Sequence, residues 1–224
     1  MPTTHILKLQ AGHLYVSIDS HDWLLDTGEP MTFGNIESLC IERVEFDIPD
    51  SYMGLNAAQL SEFVGHSTAG IIGADILKKF NILIDMKDEQ ATFAIDEIVL
   101  TGNTLEIDEY MGIPIVLAKI GGTDRRMFFD TGAQISYFQD ESLNTFPSVG
   151  AVTDFYPGVG QFQTETYMVD ATIGTEQHKL RCGSLPELLG MTLMIAGSEG
   201  IIGNEILNNR VVGYFPNHQQ LVLA

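Results

Sequence analysis

The sequence predicts an all-β protein: two pseudo-symmetric lobes with a cleft between them and a few short helices. Three observations predict it. The tripeptide Asp-Thr-Gly occurs twice, at Asp26-Thr27-Gly28 and at Asp130-Thr131-Gly132. Each copy is followed by the same second motif, Ile71-Ile72-Gly73-Ala74-Asp75-Ile76-Leu77 and then Ile201-Ile202-Gly203-Asn204-Glu205-Ile206-Leu207. Around both run short apolar segments parted by polar turns, with 22 glycines in 224 residues, a pattern of many short strands. A repeat of this kind sets the organisation of the whole chain before any single element is assigned.

The elements follow in order. Leu14–Ile18 reads as a strand, Asp19-Ser20-His21-Asp22 as a turn, and Trp23-Leu24-Leu25 as a second strand ending at Asp26. In the second copy Ile115–Ile120, Gly121-Gly122-Thr123-Asp124 and Met127-Phe128-Phe129 repeat that order up to Asp130. Both second strands are nearly all apolar, so burial on both faces is expected. Between the motifs the first copy carries a short helix, with apolar positions Ala58, Leu60, Phe63 and Val64 behind Asn56 as N-cap. The matching helix of the second copy begins near Ser184-Leu185-Pro186-Glu187, where Ser184 and Glu187 have capping-box spacing. After the second motif come short helices at 75–79 and 205–209, strands at 82–84 and 211–215, polar turns, and closing strands at 91–94 and 221–224.

The copies differ in the middle. Asp26 to Ile71 spans 45 positions and Asp130 to Ile201 spans 71, so the second copy holds 26 more. The surplus surrounds Phe155-Tyr156-Pro157-Gly158-Val159-Gly160-Gln161-Phe162, which reads as a long hairpin with a glycine-rich tip. The joint between copies is read at Thr101–Tyr110, polar and without a Pro/Ser-rich linker, giving lobes 1–104 and 105–224 packed into one body.

Composition narrows the function. Thirty acidic against 11 basic residues give a net charge of −19, which disfavours nucleic acid and anionic membrane as partners. No apolar run reaches the length of a membrane span. The start, Met1-Pro2-Thr3-Thr4-His5, lacks the basic and apolar regions of a secretory signal, so a cytoplasmic location is expected. Cys40 and Cys182 then read as free, buried thiols. The six histidines are scattered without metal-ligand spacing, so no metal or other cofactor is expected.

The duplicated motif carries the chemistry. A single Asp-Thr-Gly is an ordinary turn sequence. Two copies, each ending an apolar strand and each followed by an apolar-apolar-Gly partner, bring one carboxylate from each half to a shared site. Two carboxylates held close cannot both ionise at low cost, so one keeps a proton while the other accepts one. Such a pair activates a water as general base and polarises a carbonyl as general acid, and it titrates as a unit.

On these motifs the chain resembles the pepsin and retropepsin superfamily of aspartic peptidases, in a single-chain, two-lobed form. The resemblance implies that Asp26 and Asp130 are the catalytic pair. It implies that the Thr27 and Thr131 hydroxyls lock the two loops together, and that Gly28 and Gly132 let the backbone approach with an amide aimed at each carboxylate. Ile72-Gly73 and Ile202-Gly203 would pack beneath the loops, Ile72 and Ile202 counting with the cleft. The hairpin tip, Tyr156, Gly158, Val159 and Gly160, would close over an extended polypeptide as a flap. Peptide-bond hydrolysis would follow, with a preference for bulky hydrophobic residues beside the scissile bond, and a monomer would suffice.

Two departures from the family pattern stand out. Ala133 after the second motif is retropepsin-like, but the first motif continues Glu29-Pro30, which either adds a third carboxylate near the pair or points to solvent. The long hairpin belongs to the second copy, whereas pepsin-like enzymes carry their flap on the first lobe. A catalytically silent peptide-binding or regulatory module on the same fold is the alternative. Retention of both aspartates, both threonines and both glycines argues against it. An intramembrane or metal-dependent hydrolase lacks the spans and the ligands.

Overall fold

The computed structural model describes residues 2–156 and 159–224; Gly158 lies outside them. The first copy comprises β1 (Thr3–Gln10), β2 (His13–Ile18), β3 (His21–Leu25), β4 (Phe33–Gly34), β5 (Ser38–Ile41), β6 (Val44–Asp47), β7 (Ser51–Tyr52), β8 (Leu55–Asn56), α1 (Ala57–Val64), β9 (Gly70–Ile72), α2 (Ala74–Leu77), β10 (Asn81–Asp85) and β11 (Gln90–Ala94). The second comprises β12 (Asn103–Tyr110), β13 (Ile113–Ile120), β14 (Thr123–Phe129), β15 (Ser136–Phe138), β16 (Ser148–Tyr156), β17 (Gly160–Ile173), β18 (Glu176–Gly183), α3 (Glu187–Ile195), β19 (Gly200–Ile202), β20 (Val211–Phe215) and β21 (Gln220–Leu223).

Tight turns shape each lobe. The turns read as four residues close with two, Asp19-Ser20 and Gly121-Gly122, all at positive φ. Positive φ at both central residues matches the right-handed twist of the flanking strands, so His21, Asp22, Thr123 and Asp124 join the strands. β1 pairs β11 through Thr3–Ile6 and then β2 through Ile6–Gln10. β12 repeats this, pairing β21 through Asn103–Glu106 and β13 through Ile107–Tyr110. The polar segment read as a joint at Thr101–Tyr110 is therefore a strand from Asn103 onward. Its acidic residues face solvent while Leu105 and Ile107 are buried, a period-2 alternation that the overall polarity conceals.

The lobes meet in one sheet in the order β1-β11-β10-β20-β21-β12, joined at its centre where Ile82–Asp85 of β10 pairs with Val211–Tyr214 of β20. One apolar cluster runs through both lobes, from Trp23 and Phe80 to Phe129 and Tyr214. Two smaller clusters back the cleft, one under α3 (Leu189, Leu193) and one under α1 (Leu60, Val64).

The helices test the capping signals. Asn56 caps α1, its side chain accepting from the Gln59 amide at 3.0 Å while the Gln59 side chain accepts from the Asn56 amide at 3.2 Å. The buried face uses Ala57 rather than Ala58. Ser184 does not cap α3: its amide donates to Thr164 Oγ1 at 3.0 Å, which holds it against β17, and Pro186 takes the cap position with no side-chain bond. Both cysteines are free; Cys182 is buried as expected, but Cys40 is exposed, because β5 turns it outward between the buried Leu39 and Ile41.

Candidate active site

The same local construction places both aspartates. β3 lies parallel to β9 with Leu25 opposite Ile72, and the Asp26 amide donates to the Ile72 carbonyl at 3.1 Å. β14 lies parallel to β19 with Phe129 opposite Ile202, and the Asp130 amide donates to the Ile202 carbonyl at 3.0 Å. Each aspartate leaves its strand where the partner strand ends, so both side chains emerge at the junction of the lobes.

The loops grip each other. The Thr27 hydroxyl donates to the Phe129 carbonyl at 2.7 Å and accepts from the Thr131 amide at 3.0 Å. Reciprocally, the Thr131 hydroxyl donates to the Leu25 carbonyl at 2.6 Å and accepts from the Thr27 amide at 3.1 Å. Asp26 Oδ1 accepts from the amides of Gly28 and Glu29, both at 2.9 Å; Asp130 Oδ1 accepts from Gly132 at 2.8 Å and Ala133 at 3.1 Å. The glycines matter for the opposite aspartate too. A Cβ on Gly28 would lie 2.2 Å from the Asp130 carboxyl, and one on Gly132 would lie 2.2 Å from that of Asp26. Any side chain at either position would therefore force the carboxyls apart.

Below the loops lies a second pair of matching contacts, one within each copy, that the motifs alone did not reveal. The Thr32 hydroxyl accepts from the Gly73 amide at 2.9 Å and donates to Asp75 at 2.7 Å. Ser136 does the same, accepting from Gly203 at 3.1 Å and reaching Glu205 at 3.4 Å. The signal was present: a hydroxyl six residues after each aspartate and an acidic residue two after each motif glycine. Two contacts have no counterpart across the pseudo-twofold. His13 Nδ1 lies 3.0 Å from the Gly132 carbonyl, and Asn204 donates to the Gly12 carbonyl at 2.8 Å, each tying the β1–β2 corner to the other lobe.

Ile72 and Ile202 are not cleft residues. Both are fully buried in the core, while the preceding Ile71 and Ile201 line the cavity at the dyad. Alternation along the strand sends neighbouring side chains to opposite faces, which reverses the assignment.

The electrostatics favour a protonated pair. Burial pushes Asp26 well above the usual carboxylate range, and the charges of Asp130 and Glu29 add to it. Burial also raises Asp130, against the lowering effect of the hydrogen bond from Asp26 and of the Gly132 and Ala133 amides. Both members are raised, and the two carboxyls titrate as one unit that shares a proton. Glu29 does not point to solvent: it is buried, and burial pushes it up to about 8, with the Asp130 and Asp75 charges contributing.

The hairpin lies over this centre. Tyr156 lines a cavity of about 60 Å³ together with Asp26, Asp130 and Glu29, and it lines an adjoining cavity of about 390 Å³ with Tyr52, Met111, Leu193 and Val159. Burial and the nearby carboxylates push its hydroxyl up to about 12. Gly160 has φ 85°, as the turn back into β17 demands. Phe155 reaches the other lobe, 5.7 Å from the Phe63 ring of α1 and 5.8 Å from His13. Near the tip end of β16 the Tyr137 hydroxyl donates to Asp154, a bond between β15 and β16 that no local sequence pattern signals. The first copy has no long hairpin here; a stub, β7–β8, turns at Met53-Gly54 and brings Tyr52 to the cleft.

Among the described residues no group of three or more His, Cys, Asp or Glu side chains is arranged to hold a metal ion. No helix among them is long and apolar enough to cross a membrane.

A solved structure that spans the whole chain agrees on the architecture. An aspartic proteinase from Irpex lacteus superposes with a TM-score of 0.57 at 13% identity, covering 100% of this chain and 97% of that one. EIAV protease in complex with the inhibitor HBY-793 matches at 19% identity over 43% of this chain and 86% of its own, with a TM-score of 0.33. No protein-family model matches the sequence. No curated protein matches it. The chain has the two-lobed, all-β fold of the pepsin-like aspartic proteinases.

Proposed function

We propose that this protein is an aspartic endopeptidase, hydrolysing peptide bonds with a water activated between Asp26 and Asp130. The observation that carries the reading is the reciprocal threonine grip. Four hydrogen bonds of 2.6–3.1 Å hold the two aspartate loops face to face, with a glycine from each loop packed against the other's carboxyl. Such preorganisation serves two carboxylates that act as one group, and a silent binding module has no physical need of it.

In the working form the pair carries one proton. The ionised member takes a proton from the water as it attacks the scissile carbonyl, and the protonated member stabilises the developing oxyanion. The proton then passes to the leaving nitrogen. Lobes 1–104 and 105–224 each supply one aspartate, so a single chain completes the site. An extended polypeptide would lie across the cleft and hydrogen-bond along its backbone with the β16–β17 hairpin. The adjoining cavity of about 390 Å³, lined by Tyr52, Met111, Phe128 and Leu193, suits a bulky apolar side chain beside the scissile bond. Tyr156, Val159 and Gly160 serve as the flap.

The test is incubation with a denatured protein from pH 3 to 8, with and without pepstatin, the products read by mass spectrometry. Cleavage that pepstatin stops supports the reading. No cleavage at any pH, from folded protein, rejects it.

A further inference from the structure

Glu29 stands at the dyad without an assigned role. Its amide donates to Asp26 Oδ1 at 2.9 Å, so its backbone belongs to the aspartate loop. Glu29 is 6% exposed and is among the residues lining the cavity of Asp26, Asp130 and Tyr156. Oε1 is buried and has no hydrogen-bond partner. The corresponding residue of the other lobe is Ala133, which has nothing to offer a ligand.

We propose that Glu29 is a substrate-binding residue of this site, its unpartnered carboxyl oxygen giving a hydrogen bond to a backbone carbonyl oxygen of the chain bound across the dyad. The inference rests on the peptidase reading and adds to it a one-sided anchor. Because Ala133 cannot match it, the contact exists on one side of the scissile bond only and helps fix the direction in which the polypeptide lies.

The surroundings decide what this oxygen can bind. The titratable groups about Glu29 are Asp26 and Asp130 on the two loops, Asp75 on α2, Tyr52 on β7, and Asp154 and Tyr156 on β16. Among the described residues no lysine, arginine or histidine lines either cavity at the dyad. An ionised Glu29 would be a buried charge without a counter-ion, which is costly, so the neutral acid is favoured. Burial pushes it up to about 8, and the Met31 amide, which bonds the carboxyl and lowers it, does not offset this. A neutral carboxyl is an O–H donor with one free oxygen to use. A polypeptide backbone presents carbonyl oxygens as acceptors at every residue, whereas a cationic side chain would require the ionised form.

The experiment measures binding as well as turnover. An end-capped peptide whose central peptide bond is replaced by hydroxyethylene is titrated from pH 5 to 9 by fluorescence anisotropy, against the wild type, Glu29→Gln and Glu29→Ala. In the wild type Kd should rise about tenfold more across pH 8 than in Glu29→Gln, which keeps a donor that cannot ionise. Glu29→Ala should bind about tenfold more weakly than the wild type at pH 6. Superimposable pH curves for wild type and Glu29→Gln overturn the proposal, and that comparison does not depend on how the alanine variant folds. So does wild-type binding that tightens with pH and favours a lysine-bearing peptide. Cleavage that is lost in Asp26→Asn yet indifferent to Glu29 removes this proposal and spares the peptidase reading. Neither binding nor cleavage by the wild type removes both.

Discussion

Replacing Thr27 with valine isolates the interlobe grip. Valine matches threonine in shape, so the substitution removes the hydroxyl without opening a cavity. It takes away a 2.7 Å bond to the Phe129 carbonyl and a 3.0 Å bond from the Thr131 amide. Thr27 is 2% exposed and Thr131 fully buried, so water cannot readily replace either bond. Each orphaned buried group costs about 1–3 kcal/mol, and two of them set the loss at about 2–6 kcal/mol. Thr131→Val orphans the Leu25 carbonyl and the Thr27 amide in the same way. The double variant should lose less than the sum, because the first substitution already loosens the loops that the other relies on. Thr27→Ser keeps the hydroxyl and drops one methyl, for about 1 kcal/mol. Urea unfolding followed by the fluorescence of Trp23, the single tryptophan, reads these differences, with far-UV circular dichroism testing that the transitions coincide. A Thr27→Val loss below about 0.5 kcal/mol, or a Thr27→Ser loss equal to it, would refute the claim that reciprocal hydroxyl bonds hold the dyad loops together.

Four other outcomes are expected. Asp26→Asn and Asp130→Asn should each abolish peptide hydrolysis with the fold retained by circular dichroism, and near-normal turnover in either would remove the two-carboxylate mechanism. The rate should be bell-shaped in pH, because the singly protonated pair is the working form, with an optimum at about pH 4–6. Stability should move with pH as well. Glu29, raised to about 8 in the folded state, contributes stability that is full below the ordinary glutamate pKa of 4.5 and is lost as pH rises through about 8. Glu29→Gln should flatten the decline of melting temperature between pH 5 and 8, and an unchanged slope would show that Glu29 is not the group responsible. Shortening the 156–160 tip should raise KM and lower kcat together, since a flap both orders substrate and excludes water; unchanged kinetics would separate the hairpin from the reaction.

What could be read from the sequence was what repeats. The two Asp-Thr-Gly copies, their apolar strands and the Ile-Ile-Gly partners defined the lobes and the dyad, because each is a local pattern seen twice. The strands β1 and β12 are hidden for the opposite reason. Each is bent between two partners, so neither carries a continuous apolar face, and Glu106, Asp108 and Glu109 give β12 the polarity of a linker. The capping signals divided in the same manner. Asn56 and Gln59 act on each other and needed no outside partner, whereas Ser184 met Thr164 of β17, a contact twenty residues away that spacing could not reveal.

The asymmetries matter more for function than the repeat does. A strict twofold site would bind a polypeptide in either direction and with equal walls. Here one lobe supplies Glu29 where the other has Ala133, and the second lobe supplies the long hairpin where the first has a stub of two two-residue strands. The hairpin also crosses over: Phe155 rests on Phe63 and His13 of the first lobe, while the neighbouring Asp154 is held to Tyr137 of the second. On the proposed function, a polypeptide entering the cleft would have to part Phe155 from the first lobe. On that reading the opening would fall within the hairpin and not between the lobes, where the β10–β20 pairing and the threonine grip resist relative motion.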